Sequence, residues 1–160
     1  MGTIQFDRKY GTEIWKITSS EFSISKNKEQ YKINIWVESY YELIERNDET
    51  GDTPTSIEFV FPLKEIPTFK DKFVFIMPEF EDIKDDWEED KDYYYNWYYY
   101  EHRDVENIQV EIDKTSNNNF KIRITGMVED PTDGNTELDT KLTIEFETVL
   151  SHELNGYWAR

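Results

Sequence analysis

The stretch QYKINIWVES, residues 30 to 39, leaves the backbone little choice. With side chains alternating, Tyr31, Ile33, Ile35 and Val37 share one face and Lys32, Asn34, Trp36 and Glu38 the other, whereas a helical period would scatter both groups. That is the pattern of a strand with one face in a core and the other mostly in water. Composition agrees with it. Ala159 is the only alanine, so the best helix former is missing, while Ile, Thr, Val, Phe, Tyr and Trp are plentiful.

Alternation or apolar runs of strand length recur along the chain. EIWKIT and EFSIS read as short strands, and residues 26–30 form a polar turn into the strand just described. After a long polar loop, RNDETGDTPT, the segment SIEFVFPL alternates Ile57, Phe59 and Phe61 with Glu58 and Val60, and Pro62 is expected to end its pairing. LKEIPTF reads as a single helical turn. KFVFIMP, apolar on both faces, reads as a buried strand capped by Pro78.

NIQVEID, NFKIRITGMVE and TKLTIEFETVL predict a C-terminal three-strand antiparallel meander. Its core face would hold Ile108, Val110, Ile112, Phe120, Ile122, Ile124, Leu142, Ile144 and Phe146. KTSNNN and DPTDGN supply the connections. On the wet face Glu111 and Asp113 are expected opposite Lys121 and Arg123, which in turn face Lys141 or Glu145. Such pairs contribute roughly 0.2 to 1 kcal/mol each and fix register. The expectation is an all-β fold, an antiparallel sandwich or open barrel of about eight or nine strands. The 160 residues are read as a single domain, 1–160, large enough to bury a core without disulfides or structural metals.

Charge narrows the partners. Thirty-five acidic against eighteen basic residues give a formal net charge of −17, which disfavours nucleic acid and anionic membranes and favours a basic partner. The chain has no cysteine, so thiolate metal sites and cysteine nucleophiles are excluded. Its first residues, MGTIQFDRKYGTEIW, contain no apolar run of signal or membrane length, and a cytoplasmic location is expected.

The strongest asymmetry lies at residues 79–106. Twelve acids and three bases fall there, nine of the seventeen net negative charges. Residues 79–92 are too charged for a core and are expected to form an acidic loop. The next residues, YYYNWYYYE, read as an aromatic strand with Tyr93, Tyr95, Trp97 and Tyr99 on one face and Tyr94, Asn96, Tyr98 and Tyr100 on the other. A helix would instead align Tyr93, Trp97 and Tyr100. A core strand needs only one aromatic face, so the second is a candidate binding row. Its ordinary alternative is a core strand whose phenols reach water, with the neighbouring acids acting against aggregation.

Catalytic apparatus is not visible. His102 and His152 stand in no metal-binding spacing, no GxSxG surrounds a serine, and Ser151 beside His152 makes no triad by adjacency. The glycines are scattered singly rather than forming a phosphate-binding loop. DETGDT and DPTDGN offer oxygen ligands but not the EF-hand pattern. No cofactor or metal is implied.

The leading expectation is a non-enzymatic acidic domain that binds a basic protein, such as an intracellular inhibitor or immunity protein blocking a basic nuclease toxin. Its contact residues would be Asp85, Asp86, Trp87, Glu88, Glu89, Asp90, Asp92, Tyr94, Trp97, Tyr98 and Tyr100. The alternative is a carbohydrate or small-ligand binding sandwich stacking sugars on the Tyr and Trp rings. It explains the rings well and the depth of negative charge poorly.

Overall fold

A computed structural model describes residues 2–9, 11–27, 30–40, 43–45, 55–65, 67–77, 94–99, 101–103, 105–129 and 137–151. Twelve strands and no helix occur among them: β1 (Thr3–Arg8), β2 (Gly11–Lys16), β3 (Ser19–Asn27), β4 (Gln30–Ser39), β5 (Leu43–Glu45), β6 (Thr55–Leu63), β7 (Phe73–Ile76), β8 (Tyr94–Tyr99), β9 (Glu101–Arg103), β10 (Val105–Ser116), β11 (Asn119–Val128) and β12 (Thr140–Ser151). All nine segments read as strands from the sequence are strands. Three more, β1, β5 and β9, carry the number beyond the expected eight or nine.

Nine strands follow one path, β5-β2-β1-β12-β3-β4-β6-β8-β9, and β11, β10 and β7 branch from β12. The result is a curled, open half-barrel. Every pairing is antiparallel except that of β12 with β3, where Leu150 faces Phe22 and Ser151 faces Ser23. The C-terminal meander forms in the expected register: Glu111 opposite Arg123, Asp113 opposite Lys121, and Arg123 opposite Glu145. All nine residues assigned to its core face are buried.

Inward positions from both halves of the sheet form one core. Ile33, Ile35, Val37, Ile57, Phe59 and Phe61 from β4 and β6 belong to the same buried cluster as the meander's apolar face. Aromatic rings link the halves. Phe22 of β3 meets Phe120 of β11 edge to face at 5.2 Å, and Phe61 of β6 stacks on Phe75 of β7 at 4.1 Å. Phe69, before β7, touches Phe22, Phe73 and Phe120 with its backbone at φ 53, a region unfavourable for a side chain of this size. Three ring neighbours hold it there.

Three local expectations are corrected. The helical turn over LKEIPTF does not form: Lys64 and Glu65 make a bend and residues 67–69 are irregular. Pro62 does not end pairing, since it faces Lys32 and Leu63 faces Tyr31. Among the described residues β8 pairs with β6 as far as Val60, so the one described neighbour of Pro62 is β4. Finally, β7 is not buried. Among the described residues it pairs with β10 only, and Val74 and Ile76 are 46% and 69% exposed, so the apolar run marks an edge strand of the described sheet.

The core also encloses an ion pair. Glu13, 1% exposed, lies 3.5 Å from the Arg8 guanidinium and accepts a hydrogen bond from the Trp15 indole. Partnering of this kind is what makes a buried carboxylate tolerable.

In β10 the register slips between Glu106 and Gln109, a bulge in which Asn107 adopts φ 52 and Val105 and Ile108 are both buried. Gly126 on β11 leaves the space: a Cβ there would stand 3.1 Å from Val105 Cγ1 and 3.2 Å from the Glu106 carbonyl oxygen. Gly126→Val is therefore expected to destabilise the fold by about 1 to 3 kcal/mol through overpacking. In urea denaturation its midpoint should fall with the slope unchanged. Asn107→Gly, which relieves the positive φ, should stay within about 0.5 kcal/mol of the parent.

Candidate functional site

The aromatic segment singled out in the sequence continues one sheet surface. β8 is a strand, and its backbone register places Tyr94 opposite Val60, Trp97 opposite Ile57 and Tyr98 opposite Ser56. Across its other edge Trp97 faces Arg103 and Tyr98 faces His102 of β9. β8 is thus an inner strand over 97–99, flanked by β6 and β9. Asp85, Asp86, Trp87, Glu88, Glu89, Asp90, Asp92 and Tyr100 lie outside the described residues.

Next to β8, the outward positions of β3, β4 and β6 form continuous rows. In one, Glu21, Trp36 and Glu58 are successive cross-strand neighbours, and the row runs on to Asn96 of β8. Directly opposed residues on neighbouring strands share a face with their Cβ atoms about 5 Å apart, so a half-buried indole sits between two half-buried carboxylates. The adjacent row is Ser23, Asn34 and Val60, reaching Tyr94. The Ser23 hydroxyl donates to Glu21 Oε1 at 3.2 Å, which orients that carboxylate.

Electrostatics distinguish this face from the outer face of the meander. There, Arg123 lies 3.0 Å from Glu145, and Lys72 lies 3.7 Å from both Glu111 and Asp113. On the face of β3, β4 and β6, neither Glu21 nor Glu58 has an ion-pair partner among the described residues. Burial raises the Glu58 carboxyl above its ordinary value, and the negative charge of Glu21 raises it further.

Asn34 is the other anomaly. It is 8% exposed although it occupies an outward position, and its Oδ1 has no hydrogen-bond partner among the described residues. An unsatisfied buried acceptor costs about 1 to 3 kcal/mol. The sequence pattern assigns Asn34 and Trp36 to the wet face of β4 but does not connect them with Glu21 and Glu58, which belong to other strands. An indole at an outward position of an otherwise polar row was the available signal.

Among the described residues no group of three or more His, Cys, Asp or Glu side chains is placed to hold a metal ion, and no helix is long and apolar enough to cross a membrane. Comparison with protein-family models, with curated proteins and with solved structures finds no match.

The raised Glu58 carboxyl has a definite sign for stability. A proton binds the folded state more tightly than the unfolded one, so the ionised group weakens the fold, and stability falls as pH rises from 4.5 through the folded value. Glu58→Gln should therefore melt at a higher temperature than the parent at pH 7. Thermal scans from pH 7 down to pH 4 should show that advantage shrinking as Glu58 itself becomes protonated.

Proposed function

We propose that this protein is a non-catalytic acidic domain that binds a basic protein, and specifically an intracellular inhibitor or immunity protein that neutralises a basic toxin such as a nuclease. The observation that carries this reading is the row Glu21, Trp36, Glu58, where two carboxylates without ion-pair partners among the described residues flank an indole beside β8. A chain of formal charge −17 steers a basic partner towards itself. Uncompensated carboxylates then supply attraction on docking, and Trp36, with the rings of the 93–100 segment, supplies apolar and cation–π surface. The partner's phosphate-binding groups would be occupied by carboxylates, so inhibition proceeds by occlusion and needs no reaction.

Carbohydrate binding is the second reading, favoured by the indole with an amide oxygen nearby. Neutral sugars draw little on two flanking carboxylates, which ranks this reading below the first.

Affinity capture from lysate of the source organism, at low and at high salt, tests the proposal. One basic protein should be retained at low salt and released at high salt, because screening shortens the reach of exposed charges. Asp85→Lys with Glu89→Lys, or Glu21→Lys with Glu58→Lys, should weaken its binding about tenfold or more while leaving the circular dichroism spectrum unchanged. Equal capture by the parent and both double variants would overturn the proposal. Retention of a glycan that ignores salt would support the second reading instead.

A further inference from the structure

The reading above leaves open which chemical group the outer face of β3, β4 and β6 receives. Four features meet there. Glu21 and Glu58 are cross-strand neighbours of Trp36 on opposite sides, so two acceptors flank one flat ring. Ser23 orients one of those acceptors. Neither carboxylate is neutralised by a described residue; Lys32 shares the face, beyond Asn34 on β4, and makes no ion pair with either. Asn34 adds an acceptor, Oδ1, that is buried without a donor among the described residues, two residues from Trp36.

A metal ion fits this set poorly. Calcium takes six to eight oxygen ligands, and here an indole separates two carboxylates. An ammonium is a compact point charge that neither spans two separated acceptors nor stacks flat. A guanidinium does both, since it is planar, carries five N–H donors directed outward in its plane, and lies readily on an aromatic face. Seated over Trp36, it directs N–H groups towards Glu21 on one side and Glu58 on the other. Asn34 Oδ1, two residues along β4 from Trp36, is the acceptor left for a third. Burial, and then the negative charge of Glu21, raise the Glu58 carboxyl, and the cation offsets the second of these.

We infer that this face is the seat of one arginine side chain of the basic partner, its guanidinium stacked on Trp36 between Glu21 and Glu58 and hydrogen-bonded to Asn34. This rests on the protein-binding reading and names the group recognised.

The test uses the whole protein with its five tryptophan indoles labelled with nitrogen-15, Trp36→Phe serving to assign the Trp36 signal. N-acetyl-arginine amide is titrated in, with the lysine and citrulline counterparts as controls. The Trp36 signal should shift to saturation with the arginine compound at millimolar concentration. About fivefold more of the lysine compound should be needed, and the uncharged citrulline compound should give no saturable shift. Glu21→Gln and Glu58→Gln, which retain the side-chain shape, should each weaken arginine binding about threefold, the span of an exposed ion pair.

A Trp36 signal that ignores arginine, or responds equally to citrulline, overturns the seat. Failure of the seat and failure of the parent reading separate in the capture experiment. If the captured basic protein still binds Glu21→Gln/Glu58→Gln undiminished while Trp36 is silent to arginine, the seat is wrong and protein binding stands. A saturable arginine shift with no protein captured supports the seat and removes the partner reading.

Discussion

A β-strand has two hydrogen-bonding edges, and in this protein β12 must serve three neighbours with them. One edge is taken by β11 along residues 140–149; the other passes from β1, at residues 141–145, to β3, at residues 150–151. This division is what makes two antiparallel arrays continuous. It also decides where the core lies, because the branch brings the inward faces of both arrays towards one another. Phe22 stands at the junction, paired with Leu150 by register and with Phe120 by its ring. Backbone pairing of only two residues is thereby backed by aromatic packing, the stronger contribution over so short a contact.

Much of this architecture is legible in the sequence because the side-chain period of a strand is short and local. Ile122 and Ile124, or Ile33 and Ile35, announce their faces within a few residues. Register in the meander is equally legible, since Glu111, Arg123 and Glu145 have complementary charges and only residues 117–118 separate β10 from β11. The branch at β12 is not, because nothing in Leu150 or Ser151 indicates that their partner will be a strand near the other end. β5 and β9, of three residues each, are too short to display a period. β7 misleads for another reason: Phe73 and Phe75 pack towards the core while Val74 and Ile76 remain outside, so an apolar run identical to a buried one ends up at an edge.

The alternation of tyrosines with Trp97 reads as a strand, and β8 is one, paired with β6; the acidic residues singled out beside it, from Asp85 to Asp92, lie outside the described residues. The row formed by Glu21, Trp36 and Glu58 required three strands to be aligned, and only the structure supplies that alignment. Its charges contrast with those of the meander's outer face, where lysine and arginine answer the acids. Two regions of one outer face thus treat negative charge differently: the meander pairs it with lysine and arginine, whereas Glu21 and Glu58 have no such partner among the described residues. A carboxylate that is harder to ionise and an amide oxygen without a donor among the described residues both cost stability.

The pairing of β1 with β12 also governs the order in which the molecule can form. β10, β11 and β12 are consecutive, joined through residues 117–118 and 129–139, so their ladders close loops far smaller than the one that joins β1 to β12. The β3–β4 hairpin is similarly local. β1, by contrast, has Thr3 opposite Glu145, and its inner edge stays open until the last strand has been made. Closing so long a loop slows folding, and during synthesis β1, β2 and β5 must wait as a small separate sheet carrying Ile4, Phe6 and Trp15 uncovered. The acidic character of the chain then has a use before any partner is met, since mutual repulsion keeps such incomplete chains apart.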